Sequence, residues 1–422
     1  MGAAFLMNRT LKTETRNPPS LPRNSRFRIR VSKPAALKIL LCNFVLLILV
    51  VPVLGAPKAH HSGQPSKENS LEAAALAKAR EYVLNAQPLA MFYYSDDSLG
   101  MASLQAHADA MTLVAPQCYG LDGTGTMHGQ LPSGVLEATR RAGLPLMPLV
   151  TNPGFDRATA HALLHNAQAQ ARAITSLAYL AERDQYVGWQ LDFEGLDPAD
   201  KVPYTRFVAH VATRLHHDHR LLSVAVVPRF SDAFPDNSNA GFHTGEWGAS
   251  FDYNGLGRVA DFLVLMAYDE HTSLTSPGPV AGYDWVSAAL NYAIRRVPAS
   301  RLVLGMPLYG REWVDTPQGE TVHSIAYKDL KHYQEDPTSN RYWDDLFRTT
   351  QFQSHDGDTA HTAWFDDARS LGEKLDLMQT FHLRGYAAWR LGMEDPEFWE
   401  KARSDPERAD PHHYPCRSCG KK

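Results

Sequence analysis

From Tyr186 to Gly195 the chain runs through an apolar stretch that ends in Gln190-Leu191-Asp192-Phe193-Glu194, two carboxylates separated by one residue. In an extended strand successive side chains alternate faces, so Gln190, Asp192 and Glu194 share one face and Leu191 and Phe193 the other. A carboxyl held beside a second one resists ionisation. That suits a proton donor working near neutral pH. If Leu191 and Phe193 pack beneath helices, the polar row lines the inside of a barrel and Glu194 stands at its C-terminal mouth.

Such a row needs other strands to converge on it. Apolar strand-like segments occur at 89–94, 112–119, 144–150, 186–193, 221–227, 261–267, 302–307 and 385–389. Amphipathic helical patterns separate most of them, at 103–111, 133–141, 156–182, 204–217, 284–297 and 366–381. This alternation predicts an α/β fold, a (β/α)8 TIM barrel over residues 85–402. A doubly wound sheet is the alternative, but the glycine-rich segment 120–129 lacks the phosphate-cradling spacing. The polar stretch of about 314–364, between strands seven and eight, is too long for a bare loop and predicts a small inserted α+β lobe.

The predicted strand ends supply the rest of a candidate site. Tyr93 and Tyr94 end the first, Gln117 and Tyr119 the second, and Met266, Tyr268 and Asp269 the sixth; Tyr309 follows the seventh and Trp389 ends the eighth. Aromatic rings suit the apolar faces of sugars, while carboxylates and phenols suit acid–base work on an acetal.

The net charge of −4 hides an asymmetry. Residues 1–38 carry nine basic side chains against Glu14 alone, which leaves the remainder acidic and argues against nucleic acid as a partner. Residues 39–54 are apolar apart from Asn43, intermediate in length between a secretory core and a membrane span. The expected organisation is a basic cytoplasmic arm (1–38), a signal anchor or signal peptide (39–55), a linker (56–84), the barrel, and a tail (403–422). An anchored chain places the barrel in the periplasm or outside the cell; cleavage after Gly55 or Ala56 makes it secreted. Cys42, Cys118, Cys416 and Cys419 are too few for a disulfide-built fold. Cys416 and Cys419, with His412 and His413, could make half a zinc site, but a small disulfide or idle thiols account for them better, and the tail is assigned no function.

The segments around Gln190 to Glu194, Met266-Ala267-Tyr268-Asp269, Leu304 to Gly310 and Trp364 to Trp389 together resemble glycoside hydrolase family 18, in its bacterial branch acting on spore-cortex and other peptidoglycan. The resemblance implies hydrolysis of β-linked N-acetylglucosamine polymers of peptidoglycan or chitin type by a substrate-assisted retaining mechanism. It implies Glu194 as acid and base, with Asp192 and Tyr268 acting on the acetamido group. It also implies that Asp269 and Trp389 hold the sugar; with the strand-end residues Met266, Tyr94, Tyr119 and Tyr309, and with Gln190, they make the expected substrate-binding set. A bacterial cell-envelope location is expected, with no cofactor or metal. The family signature D-x-x-D-x-D-x-E is incomplete, because Val187 and Gln190 replace its first two aspartates. Val187 is expected to join the core, and the Gln190 amide to hydrogen-bond Asp192.

Two other classes compete. A carbohydrate-binding protein that has lost catalysis fits the Gln190 replacement but not the intact Asp192 and Glu194. A metal-dependent barrel hydrolase needs histidines at strand ends, where none is predicted. His216, His217 and His219 read as a helix C-terminal cap, and His243 with Glu246 lacks a third ligand. Trp189, Trp247 and Trp313 are each equally suited to packing and to sugar contact.

Overall fold

The computed structural model describes residues 67–232 and 246–404. All eight expected strands form: β1 Leu89–Tyr94, β2 Leu113–Leu121, β3 Leu149–Thr151, β4 Gly188–Asp192, β5 Leu221–Val226, β6 Phe262–Leu265, β7 Leu302–Pro307 and β8 Gly385–Trp389. They pair in parallel in chain order, and β1 pairs with both β2 and β8, which closes the cylinder. β3 is shorter than expected because Pro145 and Pro148 carry no amide hydrogen for the ladder; an isolated bridge from Leu146 to Val114 is all that precedes Leu149.

The lower barrel is filled by one buried apolar cluster that includes Met91, Leu113, Met147, Val187, Phe262 and Val303. Val187 is 1% exposed, so the valine does join the core. Ala79 and Val83 belong to the same cluster. They come from a helix, Lys67–Asn85, where the sequence suggested linker as far as residue 84. Its alanine-rich stretch is a strong helix former, and docking Ala79 and Val83, with Tyr82 and Leu84 partly buried beside them, against this cluster fixes it there.

Helices cover the outside, and Trp189, Leu191 and Phe193 are buried beneath them. The single helix expected at 156–182 is two, Arg157–Leu164 and Ala167–Arg183. Asn166 divides them by capping the second, its side chain accepting from Gln168 N at 3.0 Å and Ala169 N at 3.1 Å. A helix at Tyr253–Val259 and a short strand at Met127–Gly129, inside the glycine-rich segment, had no periodic pattern to announce them.

The inserted lobe is an antiparallel five-stranded sheet with a helix at Lys331–Glu335. Its first strand, Gly310–Thr316, starts almost directly after β7, and its last, Thr359–Phe365, leads into the helix Ala368–Thr380. Lys374 and Asp366, both buried, pair at that junction. Among the described residues no helix is long and apolar enough to cross a membrane. The basic arm, the 39–55 segment, His243 and the Cys416/Cys419 tail lie outside the described residues, as does the side chain of Glu246.

Candidate active site

At the C-terminal end of the barrel lies a cleft of about 190 Å³, lined among others by Asp192, Glu194, Met266, Tyr268, Asp269, Tyr309 and Trp389. β4 points Asp192 inward, with 5% of its surface exposed, and ends there, so Glu194 is carried by the first turn of the following loop. The turn depends on Gly195 at φ +65°, where an added Cβ would stand 2.5 Å from the Phe155 carbonyl oxygen. Asn152, fully buried after β3, clamps the same backbone. Its Oδ1 accepts from Glu194 N and its Nδ2 donates to Glu194 O, each at 2.9 Å.

The electrostatics of the pair follow from burial. Desolvation raises the Asp192 carboxyl above the usual carboxylate range. Glu194 is pushed well up by desolvation, then by the Asp192 charge, opposed by a hydrogen bond from the Trp247 indole to its Oε2 at 3.2 Å, and further raised by Asp269. The pair therefore holds a proton at pH values where isolated carboxyls are ionised, and it resides on Glu194, the more strongly raised of the two, opposite an ionised Asp192. Asp192 lines the cleft, and its Oδ1 is buried without a hydrogen-bond partner among the described residues. Burial, then the charges of the surrounding phenol and carboxyl groups, keeps Tyr268 neutral and able to donate.

Asp269 sits in the left-handed region at φ +61°. Its Oδ1 accepts from the Tyr309 hydroxyl and from Arg311 Nη2, which leaves Oδ2 without a partner among the described residues. Arg311 belongs to the first strand of the lobe, so the insertion holds a carboxylate of the cleft in place. Trp389 packs at 5.2 Å between ring centroids against Tyr93, whose phenol also faces the cleft.

Three expected contacts are corrected. Tyr94 belongs to the outer layer, because Tyr93 takes the inward position and adjacent side chains must face opposite ways. Tyr119 also points outward, bonding the Tyr186 hydroxyl at 2.9 Å and packing edge-on against Trp189. A register shift between Gln117 and Tyr119 breaks the alternation, so Gln117 lines the cleft and Tyr119 does not. Tyr119→Phe should accordingly leave kcat/KM unchanged while lowering stability by about 1 kcal/mol, measured by denaturant unfolding. A fall in kcat/KM at unchanged stability would put the ring in the site after all.

Gln190 is fully buried below the cleft and is not part of its lining. It does not bond Asp192. Its Nε2 donates to Ser223 Oγ at 3.0 Å, since Ser223 is its register partner on β5, whereas Asp192 stands two residues farther along the strand, roughly 6.7 Å away. Gln190 Oε1 is left unpaired.

Gln117, expected at the end of the second strand, does line the cleft; Asn152, Phe155, Arg311 and the contact made by Trp247 were not expected from the sequence. Trp189 and Trp313 are packing residues at 0% and 1% exposure. Glu270 orders the loop after β6 by accepting from Gly282 N at 2.7 Å. His216 and His217 occupy the last turn of the helix Lys201–His217, paired with Asp261 and Asp218, in keeping with a cap.

The model of the glycosyl hydrolases family 18 matches residues 146–394, more than half the chain and every element that carries the two carboxylates, Tyr268 and Trp389. The chain belongs to glycosyl hydrolase family 18. It is 25% identical over 321 residues to the uncharacterized glycosylase YvbX of Bacillus subtilis, covering 74% of this chain and 89% of that one. It is 26% identical over 304 residues to the cortical fragment-lytic enzyme of the same organism, covering 71% of this chain and 66% of the relative. The solved chitinase of Chromobacterium violaceum superposes with a TM-score of 0.67 at 27% identity, over 75% of this chain and 98% of its own. This family 18 chain is thus a glycoside hydrolase, built as a TIM barrel with its cleft at the C-terminal end of the strands.

Proposed function

We propose that this glycoside hydrolase cleaves β-linked N-acetylglucosamine polymers of peptidoglycan or chitin type, with the substrate's own acetamido group as nucleophile. The observation that carries the reading is the pairing of Glu194, whose burial favours the protonated form, with Asp192, whose buried Oδ1 has no protein partner. Glu194 protonates the glycosidic oxygen as the acetamido carbonyl oxygen attacks the anomeric carbon, giving an oxazolinium ring. Asp192 accepts the acetamido N–H and balances the cation. Tyr268 donates to the acetamido oxygen, Asp269 holds a sugar hydroxyl through Oδ2, and Trp389 floors the ring. Glu194 then takes a proton from water as it attacks the anomeric carbon on the face the leaving group vacated, opposite the oxazolinium oxygen; the bond from the anomeric carbon to that oxygen breaks, the acetamido group is restored and the product keeps the β configuration.

Relatives named for cortical fragments and for chitin support this substrate class. Incubating the full chain with peptidoglycan and, separately, with chitooligosaccharides tests it through product masses and the anomer first formed. Products ending in β-configured N-acetylglucosamine are expected from at least one of them. Binding of both without turnover would favour a carbohydrate-binding role.

Gln190→Asp offers a further test. A new carboxyl beneath Asp192 adds negative charge inside the barrel, which raises the neighbouring carboxyls further and moves the acid limb of the pH–rate profile to higher pH. An unchanged limb would show that position 190 is electrically isolated from the pair.

For location, the basic arm followed by the apolar run 39–54 supports an exported barrel tethered at the inner membrane, within the cell envelope where such glycans lie. Fractionation with N-terminal sequencing checks it: an intact amino terminus in the membrane fraction is expected, and a mature chain starting near residue 56 in the medium would make the protein secreted.

A further inference from the structure

On the outside of the barrel, His161 and His165 lie one helical turn apart, His165 as the C-cap of the helix Arg157–Leu164. Their rings are 4.2 Å apart and both face the carboxylate of Asp200. His161 Nδ1 is 3.0 Å from Asp200 Oδ2, and His165 Nε2 is 2.7 Å from Oδ1. The two imidazoles are about half exposed, whereas the Asp200 side chain is 0% exposed. A carboxylate withdrawn completely from water and offered to two imidazole nitrogens is an unusual donor set for packing alone, since ionised groups are rarely buried unless paired or metal-bound.

We propose that His161, His165 and Asp200 form a binding site for a divalent transition cation of the zinc class. One nitrogen from each ring and a carboxylate oxygen, all within 4.8 Å of one another, make three ligands on one side of an ion and leave the outer position to water. Zinc bonds of about 2.0–2.1 Å in a tetrahedron separate ligand atoms by about 3.3 Å, so Asp200 Oδ1, 3.1 Å from His161 Nδ1 and 2.7 Å from His165 Nε2, needs to move from them by about 0.2 and about 0.6 Å. Imidazole nitrogens favour zinc, nickel or copper over calcium or magnesium, which prefer all-oxygen shells.

The site joins two loops that matter to the cleft. Asp200 lies on the loop after β4, shortly beyond Glu194, and the histidines lie just beyond Asn152 and Phe155 on the segment after β3. Arg157 already bridges the same loops by donating to Gly195 O at 3.2 Å. A bound cation adds a second tie and stiffens the turn that presents Glu194.

The test is calorimetric titration of the full chain, stripped with chelator, with zinc chloride, compared with His161→Gln/His165→Gln and with Asp200→Asn. Because Cys416 and Cys419 offer thiolates of their own, the reading is the difference between proteins. The unmutated chain is expected to take up one zinc equivalent more than either variant, and zinc to raise its melting temperature more than theirs. Cobalt bound in the same equivalent should show visible bands without the intense absorption of a thiolate ligand. The half-exposed histidines can be replaced without disturbing the core, and Asp200→Asn decides the matter if the double variant folds poorly. Equal zinc stoichiometry in all three proteins, or a cobalt equivalent that carries thiolate absorption, would overturn the proposal and leave a hydrogen-bonded imidazole–carboxylate cluster.

Discussion

Glu194→Gln is expected to lower kcat on a β-linked N-acetylglucosamine oligosaccharide by about 10³-fold, with KM changed little. The amide keeps the shape of the carboxyl and can still accept the Trp247 indole hydrogen bond, but it has no proton to give the leaving oxygen. The same substitution should stabilise the fold. Burial raises the folded-state value of Glu194 above its unfolded one, near 4.3, so the native chain binds the extra proton. Its contribution to stability is fully present below the unfolded value and is lost as pH rises through the folded one. The advantage of the glutamine variant therefore grows with pH, and denaturant unfolding at acid and at mildly alkaline pH measures it. A variant that is inactive yet no more stable at alkaline pH would mean that the buried charge is compensated by something other than Trp247.

Asn152→Ala is the second large effect. Removing the side chain leaves the Glu194 amide and carbonyl without their partners at 2.9 Å, in a site too buried for easy replacement by water. Two unpaired backbone groups cost about 2–4 kcal/mol of stability. A displacement of Glu194 approaching 1 Å costs about 10²-fold in kcat. Assayed well below its melting temperature, the folded variant should lose kcat while retaining affinity for a product oligosaccharide. Loss of affinity with kcat intact would assign Asn152 to sugar binding instead of positioning.

The strands were legible because each is a short apolar run bounded by turn residues, and β1, β7 and β8 run between the residues the pattern predicts. Asp192, Tyr268, Asp269 and Trp389 were legible for a related reason: a polar or aromatic residue at the end of an otherwise apolar run is out of place unless a cleft receives it. The facing of Tyr94 and Tyr119 was not. Parallel strands are buried on both sides, so hydropathy does not alternate and carries no parity information; the register shift near Cys118 leaves no sequence mark. Asn152, Arg311 and Trp247 reach the site from a loop, from the lobe and from the short helix Glu246–Ala249, at separations that no local spacing reveals. The helix 67–85 was missed because its docking side chains, Ala79 and Val83 with Tyr82 and Leu84 partly buried beside them, gather toward its C-terminal end and make no amphipathic stripe along its length. Its hold on the barrel comes from tertiary packing.

The central claim is that the substrate supplies the nucleophile, and it is tested most directly by two oligosaccharide substrates identical except at the carbon next to the scissile bond, one bearing the acetamido group and the other a hydroxyl. The geometry of Asp192, Tyr268 and Glu194 predicts turnover of the first and a rate lower by at least about 10³-fold for the second, with both bound. Comparable kcat for the two would contradict the account, because a carboxylate of the protein would then have to attack the sugar itself.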